Sequence, residues 1–200
     1  MSNIVLINDN IEQFNVLVKA SNKNTYPIIY NQTTDTYDSI FEKYQSLLND
    51  PSNNIEIINH VMLVSYAISG ETFTFLEKEE TMLLSKYIHN EKEITNGHDG
   101  EIPEPSTNHS SGIKSLNNLE TLNSFKEFIQ KFNIQKSLDF MECVILRSSN
   151  WKYILSELET EQHLNLNIRV CDESNGYLKV GSEWVLESDN VNIKEVYSNH

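Results

Sequence analysis

Two hundred residues, 38% hydrophobic and 10% aromatic, suffice for one globular domain with a core of its own. The formal net charge of −14 repels phosphate backbones and anionic lipid, and no Lys/Arg cluster offsets it, so composition argues against nucleic-acid and membrane partners. No apolar run approaches the ~20 residues of a membrane span, and the opening Met1-Ser2-Asn3 lacks the basic start and apolar core of a signal peptide. The two cysteines, Cys143 and Cys171, sit in apolar, strand-like surroundings and read as reduced thiols of a reducing intracellular compartment, not as a disulfide framework.

In chain order, Asn3 to Ile7 is a short continuous apolar run, as a buried parallel strand requires. Asn8-Asp9-Asn10 can cap the helix that follows, with Ile11, Phe14, Val16, Leu17 and Val18 on a broad apolar face. Tyr26 to Tyr30 reads as a second strand, and Pro27 suits an edge or first-residue position. A helix opened by Asp35 and Thr36 carries Tyr37, Ile40, Phe41, Tyr44, Leu47 and Leu48 on one side, until Asn49-Asp50-Pro51 stops it. Ile55 to Tyr66 is the third strand region, too apolar on both faces for a solvated edge. Ala67 to Gly70 reads as a turn, Glu71 to Glu77 as a half-exposed strand and Glu79 to His89 as a helix. Residues 90–115 hold Gly97, Gly100, Pro103, Pro105 and Gly112 with almost no apolar side chains, the pattern of a flexible insertion.

Leu119 to Phe132 is a strongly amphipathic helix. Leu138 to Leu146 reads as a buried strand with Cys143 near its end, Ser149 to about Glu161 as a helix, and Leu166 to Cys171 as a strand. Turns at Asn175-Gly176 and Gly181 bring the tail to Trp184-Val185-Leu186-Glu187. Alternation of strands and helices argues for an α/β fold of three layers, helices on both faces of a mainly parallel sheet, over the whole of 1–200.

In such a sheet, ligands and chemistry gather at the carboxyl ends of the strands. Cys143 is therefore the first candidate for a nucleophile. Glu142 beside it raises a thiol's pKa and does not activate it. His60 lies about 20 Å of extended chain before the end of its strand region, toward the wrong end of the sheet. His89, His98 and His109 lie on or beside the insertion, His163 follows a helix and His200 is terminal, all positions typical of solvated histidines. His98-Asp99 with His109 has metal-ligand types without a recognised ligand spacing. Asp139 and Glu142 flank the thiol strand, and paired carboxylates can do acid–base work. The Glu77–Glu80 run reads as a solvated face, and no glycine-rich phosphate loop follows the first strand, so no cofactor or metal is expected.

Four stretches, NIVLINDNIEQFNVLVKA, VMLVSYAISGETFTFL, SLDFMECVIL with Trp151 soon after, and NIRVCDESNGYLKVGSEWVLES, together resemble the caspase-like domain of unknown function of the DUF4347 type. The resemblance runs over nearly the whole chain except residues 90–115. It implies a caspase-like α/β/α sandwich in which one strand ends in Ser-His-Gly, supplying the base, and the next strand region ends in a short sequence with the nucleophilic Cys. Cys143 stands at the nucleophile's place. Ser65-Tyr66-Ala67-Ile68-Ser69-Gly70 stands where Ser-His-Gly-x-x-Gly is expected, so Tyr66 replaces the histidine and Ala67 the glycine.

That replacement removes the chemistry. A free thiol has a pKa of ~8.5, which a neighbouring imidazolium lowers by several units. A phenol with a pKa of ~10 is neutral at pH 7 and lends no positive charge. The expectation is a catalytically inactive caspase-like domain serving as a protein-interaction or structural module, with a protein partner. The alternatives are a cysteine peptidase that uses Cys143 with a non-standard base, and self-cleavage within residues 90–115.

Overall fold

The computed structural model describes residues 1–12, 14–65, 67–69, 72–77, 82–84, 118–141, 158–159, 166–170, 185–186 and 190–198. Five parallel strands form the central sheet: β1 (Ser2–Asn8), β2 (Thr25–Tyr30), β3 (Ile58–Val64), β7 (Ser137–Phe140) and β8 (Asn167–Val170), in the spatial order β2-β1-β3-β7-β8. The α/β class expected from the strand–helix alternation is thus present. Every residue of β1 is buried, which is why its sequence reads as an unbroken apolar run instead of an alternating one.

Pro27 lies within β2, which among the described residues of this sheet pairs with β1 alone. A missing N–H is tolerated on such an edge. β3 is narrower than the expected 55–66 and is interior, between β1 and β7.

Helix α1 (Phe14–Ala20) starts later than its sequence pattern suggests. Asn8 and Asp9 do not cap it. The Asn8 side chain instead accepts the Asn10 N–H at 3.0 Å, closing a turn at the end of β1. Ile11, Phe14, Leu17 and Val18 pack on the sheet, whereas Val16 is 46% exposed because a seven-residue helix turns it away. Helix α2 (Tyr37–Asn49) begins with a capping box. Ser39 donates its N–H to the Thr36 hydroxyl, and the Thr36 N–H is received by the Ser39 side chain. Asp50 is extended, as the residue before a proline must be, and ends the helix. Tyr37, Ile40 and Tyr44 are buried, while Leu48, expected on the same face, is exposed.

Helix α3 (Asn118–Gln130) is followed by Asn133 at φ 48°, a left-handed residue that lets the chain turn into β7 and that asparagine accommodates more readily than most.

The strand expected within Glu71–Glu77 is present at 72–74, while residues expected to turn before it and to form a helix after it supply two further strands, making a second sheet. β4 (Ala67–Ser69), β5 (Thr72–Thr74) and β6 (Met82–Leu84) pair antiparallel in that order. Strand β6 thus replaces helix over 82–84 of the expected Glu79–His89. A short apolar run is locally ambiguous between the two, and pairing with β5 decides it. Near the end of the chain, β9 (Val185–Leu186) and β10 (Val191–Asn192) pair antiparallel, and helix α4 (Ile193–Tyr197) follows.

The sheet has two unlike faces. On one, Ile4, Leu6, Val61, Leu63, Leu138, Phe140, Ile168 and Val170 meet the aromatic side of α2 and α3. On the other, Val5, Ile7, Met62, Val64 and Met141 meet α1 and α4. Helices therefore cover both faces, giving three layers. Leu158 and Glu159, inside the expected 149–161 helix, are helical, and Leu158 is fully buried. The expected insertion at 90–115 and the remainder of that helix lie outside the described residues.

Candidate functional site

The strand order reverses at β1: the chain leaves β1 for β2 on one side and continues to β3 on the other. The carboxyl ends of β1 and β3 thus flank the crevice where open α/β sheets gather ligands. The described groups at the carboxyl ends of β1 and β2 and at the start of α2 are polar and mutually satisfied. Asn8, fully buried, donates from Nδ2 to Oε1 of Gln32 at 3.0 Å. Asn31 donates to both carboxylate oxygens of Asp9, at 3.0 and 3.2 Å. Asp35 accepts from the Asn31 N–H, the Ser39 hydroxyl and Lys43 Nζ at 2.7–2.8 Å. Burial by itself raises the Asp35 pKa, but the bonds from Lys43, Asn31 and Ser39 outweigh it and hold the carboxyl below its usual range. These contacts build turns and leave the described carboxylates occupied. Ser65, at the end of β3, is buried.

Cys143 and Tyr66, the two positions singled out from sequence, lie outside the described residues, as do Glu142, Cys171 and every histidine except His60. The strands that lead to them are described. β3 and β7 are hydrogen-bonded parallel neighbours, paired His60 to Ser137, Val61 to Leu138, Met62 to Asp139 and Leu63 to Phe140. The Met141 N–H still reaches the Leu63 carbonyl at 3.0 Å. Counting onward from the last pair, Tyr66 follows Leu63 by three residues and Cys143 follows Phe140 by three.

His60 and Asp139, weighed from sequence as a remote base and a flanking carboxylate, meet in a buried polar cluster on the α1–α4 face. His60, Ser137, Asp139 and Arg169 are brought together by register. Asp139 is level with Arg169 on β8, and His60 is level with Ser137. Period-two alternation points all four side chains to one face. Arg169 donates from Nε to Asp139 Oδ1 at 2.6 Å and from Nη2 to Oδ2, a bidentate pair with side chains only 6% and 0% exposed. The Tyr197 hydroxyl donates to the same Oδ2. His60 Nδ1 lies 2.6 Å from Ser137 Oγ and 3.4 Å from Arg169 Nη2.

A guanidinium has only donors. That assigns Nδ1 as the acceptor, the ring proton to Nε2, and the donor role to Ser137. Burial lowers the His60 pKa, and Arg169 and Lys136 push the same way against the opposing pull of Asp139. Burial, with Asp139 adding to it, lifts the Tyr197 phenol well above its usual value, so it stays a neutral donor.

Ser137 beside an imidazole has the types of a nucleophile–base pair, yet two facts remove that role. Ser137 is 2% exposed, so no substrate reaches its hydroxyl. Asp139 gives its lone pairs to Arg169 and Tyr197 instead of orienting the imidazole. The cluster instead ties together β3, β7, β8 and α4.

Reading the sequence misses Arg169 and Tyr197 as partners. A usable signal exists for the first. Ser137-Leu138-Asp139-Phe140 and Asn167-Ile168-Arg169-Val170 each set polar residues two apart inside an apolar strand, one bearing an acid and the other a base. Tyr197 has no comparable signal, since its role depends on where a five-residue helix docks.

Among the described residues there is no group of three or more His, Cys, Asp or Glu able to hold a metal, and no helix is long and apolar enough to cross a membrane. No protein-family model matches the chain, and no match is found among curated proteins or solved structures.

Proposed function

We propose that this chain is a catalytically inactive caspase-like domain that works as a protein-interaction or structural module. The supporting observation is the pairing of β3 with β7. The two strands that the resemblance assigns to base and nucleophile are parallel neighbours, and the two positions it assigns follow their last paired residues by the same three steps. At the base's position stands Tyr66, a phenol with a pKa of ~10, which neither takes the thiol's proton nor protonates a leaving amine at pH 7. His60, on the strand that leads toward that position, does not substitute. Its Nδ1 is engaged by Ser137 and Arg169, near the amino end of β3. The charge of −14 favours a basic face on the protein partner.

Incubating the recombinant chain with a peptide-substrate library tests the reading. The expected result is no cleavage above blank, with slow labelling of Cys143 by a thiol-directed probe at pH 6. Tyr66→His combined with Ala67→Gly should speed that labelling if the base position has been read correctly. Cleavage by the wild-type chain that disappears in Cys143→Ala would replace this reading with a cysteine peptidase using a non-standard base. Two fragments in the mass spectrum of fresh protein, cut within 90–115, would replace it with self-cleavage.

A further inference from the structure

We propose that the buried cluster is an acid-sensitive latch, in which protonation of His60 loosens helix α4 from the sheet. The geometry supplies both halves of the device. The fastening half is polar and converges on two residues of α4. Val196 offers its carbonyl to Asn3 Nδ2 at 2.9 Å and Asn22 Nδ2 at 3.0 Å, and the Tyr197 carbonyl receives the Asn22 N–H at 3.0 Å. The Tyr197 hydroxyl reaches across to Asp139. With only five residues, α4 cannot hold itself helical in isolation, so its order depends on this docking.

The sensing half is His60. Its ring stands edge-on to Tyr197, centroids 6.3 Å apart and planes at 70°, and its Nδ1 accepts from Ser137 and Arg169. A proton placed on Nδ1 abolishes that acceptor and sets an N–H against the guanidinium donor that was 3.4 Å away. Imidazolium and guanidinium then repel in a half-buried site, and both compete for the Asp139 carboxylate that Tyr197 uses.

The charged groups around the ring do not cancel this. Asp139 on β7 attracts the new charge, while Arg169 on β8 and Lys136 just before β7 oppose it. Tyr197 on α4 is neutral, Lys194 and Glu195 of α4 and Lys19 of α1 are exposed, and Asn3, level with His60 on β1, carries no charge. Burial together with Arg169 and Lys136 prevails over Asp139, and the ring's proton affinity is held below the ordinary histidine value. The device stands apart from the question of whether Cys143 is inert.

Amide hydrogen exchange of the full chain at pH 7.5 and pH 5.0, corrected for intrinsic rates, tests the latch with α2 as the internal reference. Linkage for a group that titrates near ~6.5 once released caps the loss of α4 protection at about thirtyfold at pH 5.0, and a loss of about threefold or more is expected. In His60→Gln the loss should shrink to less than about twofold, because the carboxamide keeps an acceptor and cannot take the proton. Equal protection at both pH values in the wild-type chain, or an undiminished loss in His60→Gln, would overturn the proposal. Should His60→Gln fail to fold, the imidazole resonance of wild-type His60 decides. A titration midpoint at or above about 6.5 overturns the latch, and one below it, together with the α4 loss, sustains it.

Discussion

The two faces of the central sheet are stabilised by different physics. The face under α2 and α3 is apolar and aromatic. Phe75 sits among Tyr30, Tyr37, Phe125 and Phe128, and Phe132 packs against Tyr44 and Phe128, with ring centroids 4.6–6.3 Å apart across this set. The face under α1 and α4 has fewer and smaller apolar contacts and encloses the Asp139–Arg169 pair, His60, Ser137 and Tyr197. Dispersion and apolar burial are non-directional, so the first face accepts many arrangements of similar volume. Bidentate and shared hydrogen bonds are directional and penalise any misplacement. The second face therefore fixes which residue lies level with which, and where the last helix docks.

The largest effects should come from removing one member of the buried pair. Arg169→Met leaves Asp139 buried without its cation, and should lower stability by about 3–5 kcal/mol in urea denaturation. Adding Asp139→Leu to the same chain should recover most of that loss. If the double variant is as unstable as the single one, the pair stabilises by more than mutual neutralisation.

On the opposite face, Phe128→Ala should cost about 3–5 kcal/mol through lost contacts and a residual cavity, with no second substitution of a polar residue able to restore it. Combined with Arg169→Met, its effect should add to within about 0.5 kcal/mol, provided the two faces are independent. Strong non-additivity would show that the sheet transmits strain between them.

Tyr197→Phe is the milder probe. Asp139 keeps its guanidinium partner and loses one donor, so about 1–2 kcal/mol is expected, with the exchange change concentrated in α4.

The smallest contrast is with pH. The folded pKa of His60 lies below its unfolded value, so its contribution is present above about pH 6.5 and is lost as pH falls through that value toward the lower folded one. Asp35 also has a depressed pKa, and its contribution is present above about pH 3.9 and is lost below that. Stability measured against pH should thus fall first in the His60 window, and His60→Gln should remove that step while leaving the Asp35 one. A single acid transition at carboxylate pH would contradict the ordering.

Much of the scaffold is legible without coordinates. The apolar run of β1, the capping residues of α2 and the 3.6-residue stripe of α3 each encode their element locally. The same local signals mislead where an element is short. Met82–Leu84 carries no period long enough to separate strand from helix, and Val16 and Leu48 belong to apolar patterns wider than the stripes their helices bury. At the candidate site, Cys143 and Tyr66 are legible as motif positions, whereas the partners of Asp139 and His60 are not. Those partners lie 30, 58, 77 and 109 residues away along the chain.

The amino-acid sequence by itself determines the strand–helix alternation, the acidic surface charge and the absence of an imidazole at position 66, because each is carried by composition or by neighbours a few residues apart. Tertiary structure alone decides that β1 lies between β2 and β3, that Asp139 lies level with Arg169, and that Tyr197 closes over both. Register and docking are settled by contacts between distant segments, each meaningful only once the others are in place, and no local window of residues contains that information.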